Sequence, residues 1–135
     1  MAKLLIKFTL SALLLLLAAD LRAQNIESEV LEPFAKCMAE GDADGLARYF
    51  AEQMETAILD DERYSSRNQA LARMKDFFKT YSPKSFRISH ISGRQDMKYA
   101  VGELNAGGSD FKVTVFVGGK EKHKKIQNLK IENSR

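Results

Sequence analysis

Covalent cross-linking is the first thing this chain lacks: with one cysteine, Cys37, in 135 residues, no internal disulfide can form, so stability must come from a packed core. Histidine is nearly as scarce. Two histidines, His90 and His123, and a lone thiol do not make a zinc ligand set, and the Asp42-Ala43-Asp44-Gly45 run lacks the further carboxylates of a calcium loop. No metal site is expected. No glycine-rich loop precedes a helix to cradle phosphate, and no serine sits in a strand-turn-helix elbow, so neither cofactor chemistry nor that type of nucleophile is expected.

Long apolar runs are also missing beyond one near the start. Phe8 to Ala19 is a largely apolar stretch of 12 residues, preceded by Lys3 and Lys7 and followed by Leu21-Arg22-Ala23 ahead of Gln24. A helix of that length rises only about 18 Å, against a hydrocarbon layer of about 30 Å, so a stable span is not expected. Residues 1–23 therefore form an expected export signal, leaving residues 24–135 as one periplasmic or secreted domain. A retained anchor is the competing reading, since Asp20, Leu21 and Arg22 make an imperfect cleavage site. About 110 residues suffice for one core and not for two.

Net charge is small, but its distribution is uneven. From Gln24 to Glu62 eleven acids face two bases, whereas from Arg63 onward sixteen bases face six acids. Acidic helices complementing a basic sheet account for this, and nucleic acid is not an expected partner. The segment Lys120-Glu121-Lys122-His123-Lys124-Lys125 is the most basic surface feature. Its simplest role is a solvated hairpin that discourages edge-to-edge pairing of sheets.

Helices precede strands, the order of an α+β domain. Ile26, Val30, Phe34, Cys37 and Met38 mark one apolar helical stripe, interrupted by Pro33 and ended by Gly41. Cys37 thus reads as a small buried hydrophobe. Asp42 caps a second short helix carrying Leu46, Tyr49 and Phe50. Met54 to Leu59 is expected to be a short strand, and Asp60-Asp61-Glu62 a polar turn. Ser66-Arg67-Asn68-Gln69 is a capping box opening a third helix to about Thr80, with Leu71, Met74, Phe78 and Tyr81 on one stripe and Phe77 beside it, before Pro83.

Four further strands are expected near Phe86 to Ile91, Met97 to Asn105, Phe111 to Val117 and Lys124 to Glu132, separated by glycine-bearing turns. Alternation groups Phe86, Ile88 and His90 on one face, Met97, Tyr99, Val101 and Glu103 on another, and Phe111, Val113, Val115 and Val117 on a third. In the last strand Ile126 is out of step with Leu129 and Ile131. A bulge near Gln127-Asn128 would restore one face.

This order resembles the nuclear transport factor 2-like superfamily. The residues that carry the resemblance are the short helix Gly41-Asp42-Ala43-Asp44-Gly45-Leu46-Ala47-Arg48-Tyr49-Phe50, the helix opening Arg67-Asn68-Gln69-Ala70-Leu71, and the closing strand Lys125-Ile126-Gln127-Asn128-Leu129-Lys130-Ile131-Glu132. The match is closest to an uncharacterised branch of exported bacterial proteins known only as a domain of unknown function. The resemblance implies a cystatin-like cone: three N-terminal helices packed against a strongly curved antiparallel sheet of four to five strands. It also implies that sheet faces pair into a homodimer.

Members of that superfamily use the cone interior for isomerase or dehydratase chemistry, for binding, or for neither, so the fold does not select a function. Of the residues expected to face inward, none matches a catalytic motif of the superfamily. The expected function is a noncatalytic binding or interaction domain. Its expected lining is Tyr64 at the rim with Met74, Phe78, Phe86, Ile88, His90, Tyr99 and Val101, suited to a small apolar ligand with one polar anchor; an envelope protein is the other candidate partner. The competing reading is an isomerase- or dehydratase-like enzyme using His90 or Glu103 as acid or base, which requires an apolar pocket that adjusts proton affinity.

Overall fold

The computed structural model describes residues 26–119 and 124–134. The expected leader at residues 1–23 and most of the basic segment at 120–125 lie outside the described residues.

The first apolar stripe begins with a π-helical turn, Glu27–Leu31, that runs into α1, Glu32–Glu40. Pro33 falls just inside α1, and the helix accommodates its missing N–H directly after the π-helical turn. Gly41 closes α1 in the left-handed conformation at φ 71°, which a residue without Cβ adopts with little strain. Asp42 then caps α2, Ala43–Ala47, its Oδ1 accepting from the Gly45 N–H at 2.9 Å. Ser66 and Gln69 form the expected capping box of α3, Arg67–Thr80, with bonds of 3.2 and 2.9 Å.

Six strands form one sheet among the described residues: β1 Phe50–Ile58, β2 Asp61–Ser66, β3 Pro83–Arg94, β4 Met97–Ala106, β5 Ser109–Gly118 and β6 Lys125–Asn133. Their order is β2-β1-β6-β5-β4-β3, with β1 and β6 parallel and every other pair antiparallel. The expectation of four to five strands, all antiparallel, is therefore corrected. The third helix follows the early strand as expected, but with β2 between them, and only α3 is long.

The missed element is β2. Leu59 and Asp60, at φ 50° and 73°, make the two-residue turn that joins β1 to β2. Tight hairpins of this kind usually carry Asn-Gly or Asp-Gly, since both central residues need positive φ. Leu-Asp gives no such signal, and Asp60-Asp61-Glu62 reads as a polar turn because an edge strand is kept charged.

The concave side of the curved sheet holds the core. Phe111, Val113, Val115 and Val117 point inward, as do Ile126, Leu129 and Ile131, each at most 1% exposed. The expected bulge is present in β6: Val117 pairs with Ile126 and Phe116 with Asn128, leaving Gln127 as the extra residue. Against this face lie Phe34 and Met38 from α1 and Ala70, Met74, Phe77 and Phe78 from α3. Phe77 meets Phe111 and Tyr81 with ring centroids 5.3 and 5.1 Å apart, and Phe34 meets the edge of Phe86 at 5.7 Å. Each large buried side chain contributes about 1.5–3 kcal/mol of burial free energy.

In β4 the inward residues are Ala100, Gly102, Leu104 and Ala106, so Tyr99, Val101 and Glu103 share a face as expected, but it is the outer one. The small inner residues have a steric cause. A Cβ on Gly102 would stand 2.5 Å from Cζ of Phe86 and 2.8 Å from the Arg87 carbonyl oxygen. Gly102→Ala is therefore expected to destabilise the domain by about 1–3 kcal/mol, read from the urea midpoint. Phe86→Leu in that background should recover only part of the loss, because Arg87 O is backbone.

Candidate functional site

The expected lining divides between the two sides of the sheet. Met74 and Phe78 are buried, and Phe86 and Ile88 pack half-buried against the core. Tyr64, His90, Tyr99 and Val101 lie on the outer face. For His90 the reason is a register shift in β3: Ile88 pairs with Gly102, but His90 pairs with Val101, so the strand turns over between them. Tyr99 and Val101 are outside because they alternate with the inward Ala100 and Gly102, and Gly102 has no room for a larger side chain beside Phe86. The eight residues do not converge on one interior pocket.

Both acid/base candidates follow the outer face. His90 is exposed, and Glu103 stands in solvent with Arg87 Nη2 at 4.0 Å, their side chains 70% and 81% exposed. Neither has an apolar chamber around it. Among the described residues, no group of three or more His, Cys, Asp or Glu is placed to hold a metal ion. Cys37 packs half-buried against the core, and burial followed by the charges of Asp42 and Glu40 pushes its thiol pKa up, away from the reactive thiolate.

What the sheet does assemble is a continuous outer surface in cross-strand rows. One row runs Tyr99, Phe116, Asn128, Glu55, Tyr64 from β4 to β2, each residue directly opposite the next. A second runs His90, Val101, Thr114, Lys130, Ala57, Glu62. A third, Arg87, Glu103, Lys112, Glu132, alternates in sign. His90, Tyr99 and Phe116 stack in sequence, with centroids 5.9 and 5.6 Å apart. Phe116 remains 38% exposed, Met97 48% and Tyr64 73%. Tyr99 and Phe116 are directly opposed, a pairing that adds about 0.2–1 kcal/mol to sheet stability, whereas His90 reaches Tyr99 diagonally.

One cluster was missed by sequence reasoning. Arg73 of α3 reaches the β1–β2 hairpin, donating from Nη1 to the Thr56 carbonyl at 3.2 Å and to its hydroxyl, and from Nη2 to the Asp61 carbonyl at 2.7 Å. Thr56 and Ser65, both buried, face each other with hydroxyl oxygens 3.3 Å apart. The Asp61 carboxylate accepts two bonds from Arg63, at 3.1 and 2.8 Å, and lies 3.4 Å from Arg73 Nη2. The signal was available: Arg73 falls at helical spacing between the buried Ala70 and Phe77, a basic residue on an apolar stripe.

A curved sheet of this order wrapped over helices defines the nuclear transport factor 2-like, cystatin-like class. Residues 31–132 match the model of a domain of unknown function, DUF4783, and the chain belongs to that family. Solved members of the family are similar in fold. A protein from Bacteroides uniformis ATCC 8492 is 20% identical, with a TM-score of 0.75 over 79% of this chain and 99% of its own. One from Bacteroides ovatus ATCC 8483 is 17% identical, with a TM-score of 0.72 over 76% and 94%. An NTF-2 like protein of unknown function from Silicibacter pomeroyi DSS-3 is 20% identical, with a TM-score of 0.57 over 77% and 89%. No curated protein matches the chain.

The Asp61 carboxyl is held below the usual carboxylate range, first by its hydrogen bond from Arg63 and then by the Arg63 and Arg73 charges, which outweigh its desolvation. A depressed folded pKa stabilises the protein above the unfolded value, about 3.9, and the contribution is lost as pH falls through the lower folded value. Carbon-detected NMR titration should therefore show Asp61 ionising below that value. Asp61→Asn should lower stability slightly at pH 7, leave it unchanged at pH values below the folded pKa, and so flatten the stability-pH curve across this acid window.

Proposed function

We propose that this is an exported, noncatalytic interaction domain that works through the outer face of its sheet and pairs there with a second copy of itself. The single observation that carries the reading is the stacked, solvent-facing His90-Tyr99-Phe116 ladder beside a charged row of alternating sign. Removing Phe116, Tyr99 and Met97 from water supplies a driving force. The charged row supplies register: Arg87, Glu103, Lys112, Glu132 reads plus, minus, plus, minus, and a reversed copy presents minus, plus, minus, plus. A surface that complements its own reversal suits a two-fold interface, in which one patch meets the same patch.

The interior supports the noncatalytic part. Its positions are taken by packed side chains, with Phe86 against Gly102 and Phe34, and both proton-transfer candidates stand on the other side of the sheet. Export rests on the leader read from residues 1–23.

Sedimentation equilibrium of residues 24–135 is expected to show a dimer. Phe116→Asp should weaken association by at least 2 kcal/mol, or about 30-fold, as the loss of a central aromatic anchor does. Circular dichroism should be unchanged, since Phe116 faces out. A monomeric wild type at the highest soluble concentration, or an unaltered dimer in Phe116→Asp, would overturn the reading.

A further inference from the structure

We propose that a dip over Ala57, at the β2 end of the outer face, is a saccharide site that takes a neutral pyranose unit. Its aromatic wall, Tyr64, lies three strand spacings from Phe116, about 14 Å along the row, while Asn128 stands directly opposite Phe116 and borders both surfaces.

The dip arises from one small residue. Ala57 stands between Lys130 on β6 and Glu62 on β2, and its methyl leaves a cleft of about 300 Å³ between the two longer side chains. Asn128, Glu55 and Tyr64 form one wall, drawn from three neighbouring strands. The volume falls at the lower end of small-ligand sites.

Three properties of the lining point to a sugar. Tyr64 is 73% exposed and makes no ring contact among the described residues, so an aromatic face is left for the apolar C–H face of a pyranose. Asn128 Nδ2 donates to Glu55 Oε2 at 3.0 Å, which fixes both groups and leaves the Asn128 carbonyl, its second N–H and Glu55 Oε1 free. Those groups offer donors and acceptors side by side, as vicinal hydroxyls require. The lining carries two acids, Glu55 and Glu62, against two bases, Arg63 and Lys130, so an ionic ligand gains nothing from net charge.

A purely apolar ligand fits less well. It would desolvate the Glu55–Asn128 pair without replacing its bonds to water. Because every lining residue sits on a strand, binding orders no loop, which keeps the entropic penalty small.

The test is an NMR titration of residues 24–135 with cellobiose, maltose, lactose and N,N′-diacetylchitobiose, repeated on Phe116→Asp so that the result is independent of association. Backbone amides of Glu55, Ala57, Tyr64 and Asn128 should shift with at least one disaccharide in both proteins. Tyr64→Ala should weaken that binding roughly tenfold, and Tyr64→Phe should retain it, with unchanged melting temperatures because the side chain is exposed. Absence of shifts at these residues with all four sugars would overturn the proposal, as would a Tyr64→Ala variant that binds like wild type.

Discussion

The approach of the Phe86 ring to the backbone of β4 constrains much of the rest. Because Gly102 has no side chain, the Phe86 ring comes close to the backbone of β4 and meets Phe34 in a T-shaped contact, and α1 settles over β3. Gly102 has no room for a larger residue beneath that contact, while Leu104, directly opposite Phe86, fills the inner face beside it. The alternate residues of β4 face outward, where Tyr99 meets Phe116.

The opposite end of the sheet is held differently. There Arg73 reaches from α3 to the β1–β2 hairpin and bonds the groups that a helix-sheet junction would otherwise leave unpaired, with Thr56 and Ser65 beneath it. Asp61 offsets part of its charge, but the Arg73 side chain is only 13% exposed and desolvation outweighs that attraction, pulling its pKa below the ordinary arginine value; the hydrogen bonds to the hairpin hold the charge in place. Apolar packing secures one end of the sheet and a polar clasp the other.

Much of this was legible in the residues. Helix ends declared themselves because Gly41, Asp42 and the Ser66-Gln69 pair each satisfy specific backbone groups, and the β6 bulge followed from the phase slip between Ile126 and Leu129. Two kinds of information were not legible. Alternation sorts a strand into two faces without saying which is inside, and in β4 the larger side chains misdirected that choice because Gly102 must stay small beside Phe86. In β3 the register shift after Ile88 reversed His90, and nothing local in Ser89 announces it. The site suffered more than the fold, since four of the eight proposed lining residues depended on those two strands or on the unrecognised β2.

The strand order has a consequence for how the molecule is made. β6 comes last along the chain, yet it lies between β1 and β5 and completes the hydrogen bonding of both. A chain that emerges N-terminus first holds two separate hairpin systems with unpaired inner edges until the final strand arrives. Contacts between β1 and β6 span most of the sequence, so closure is slow relative to local helix formation. The same geometry makes the partly emerged chain vulnerable to pairing with other strands, and a chaperone that shields those two edges would act on the step that limits yield.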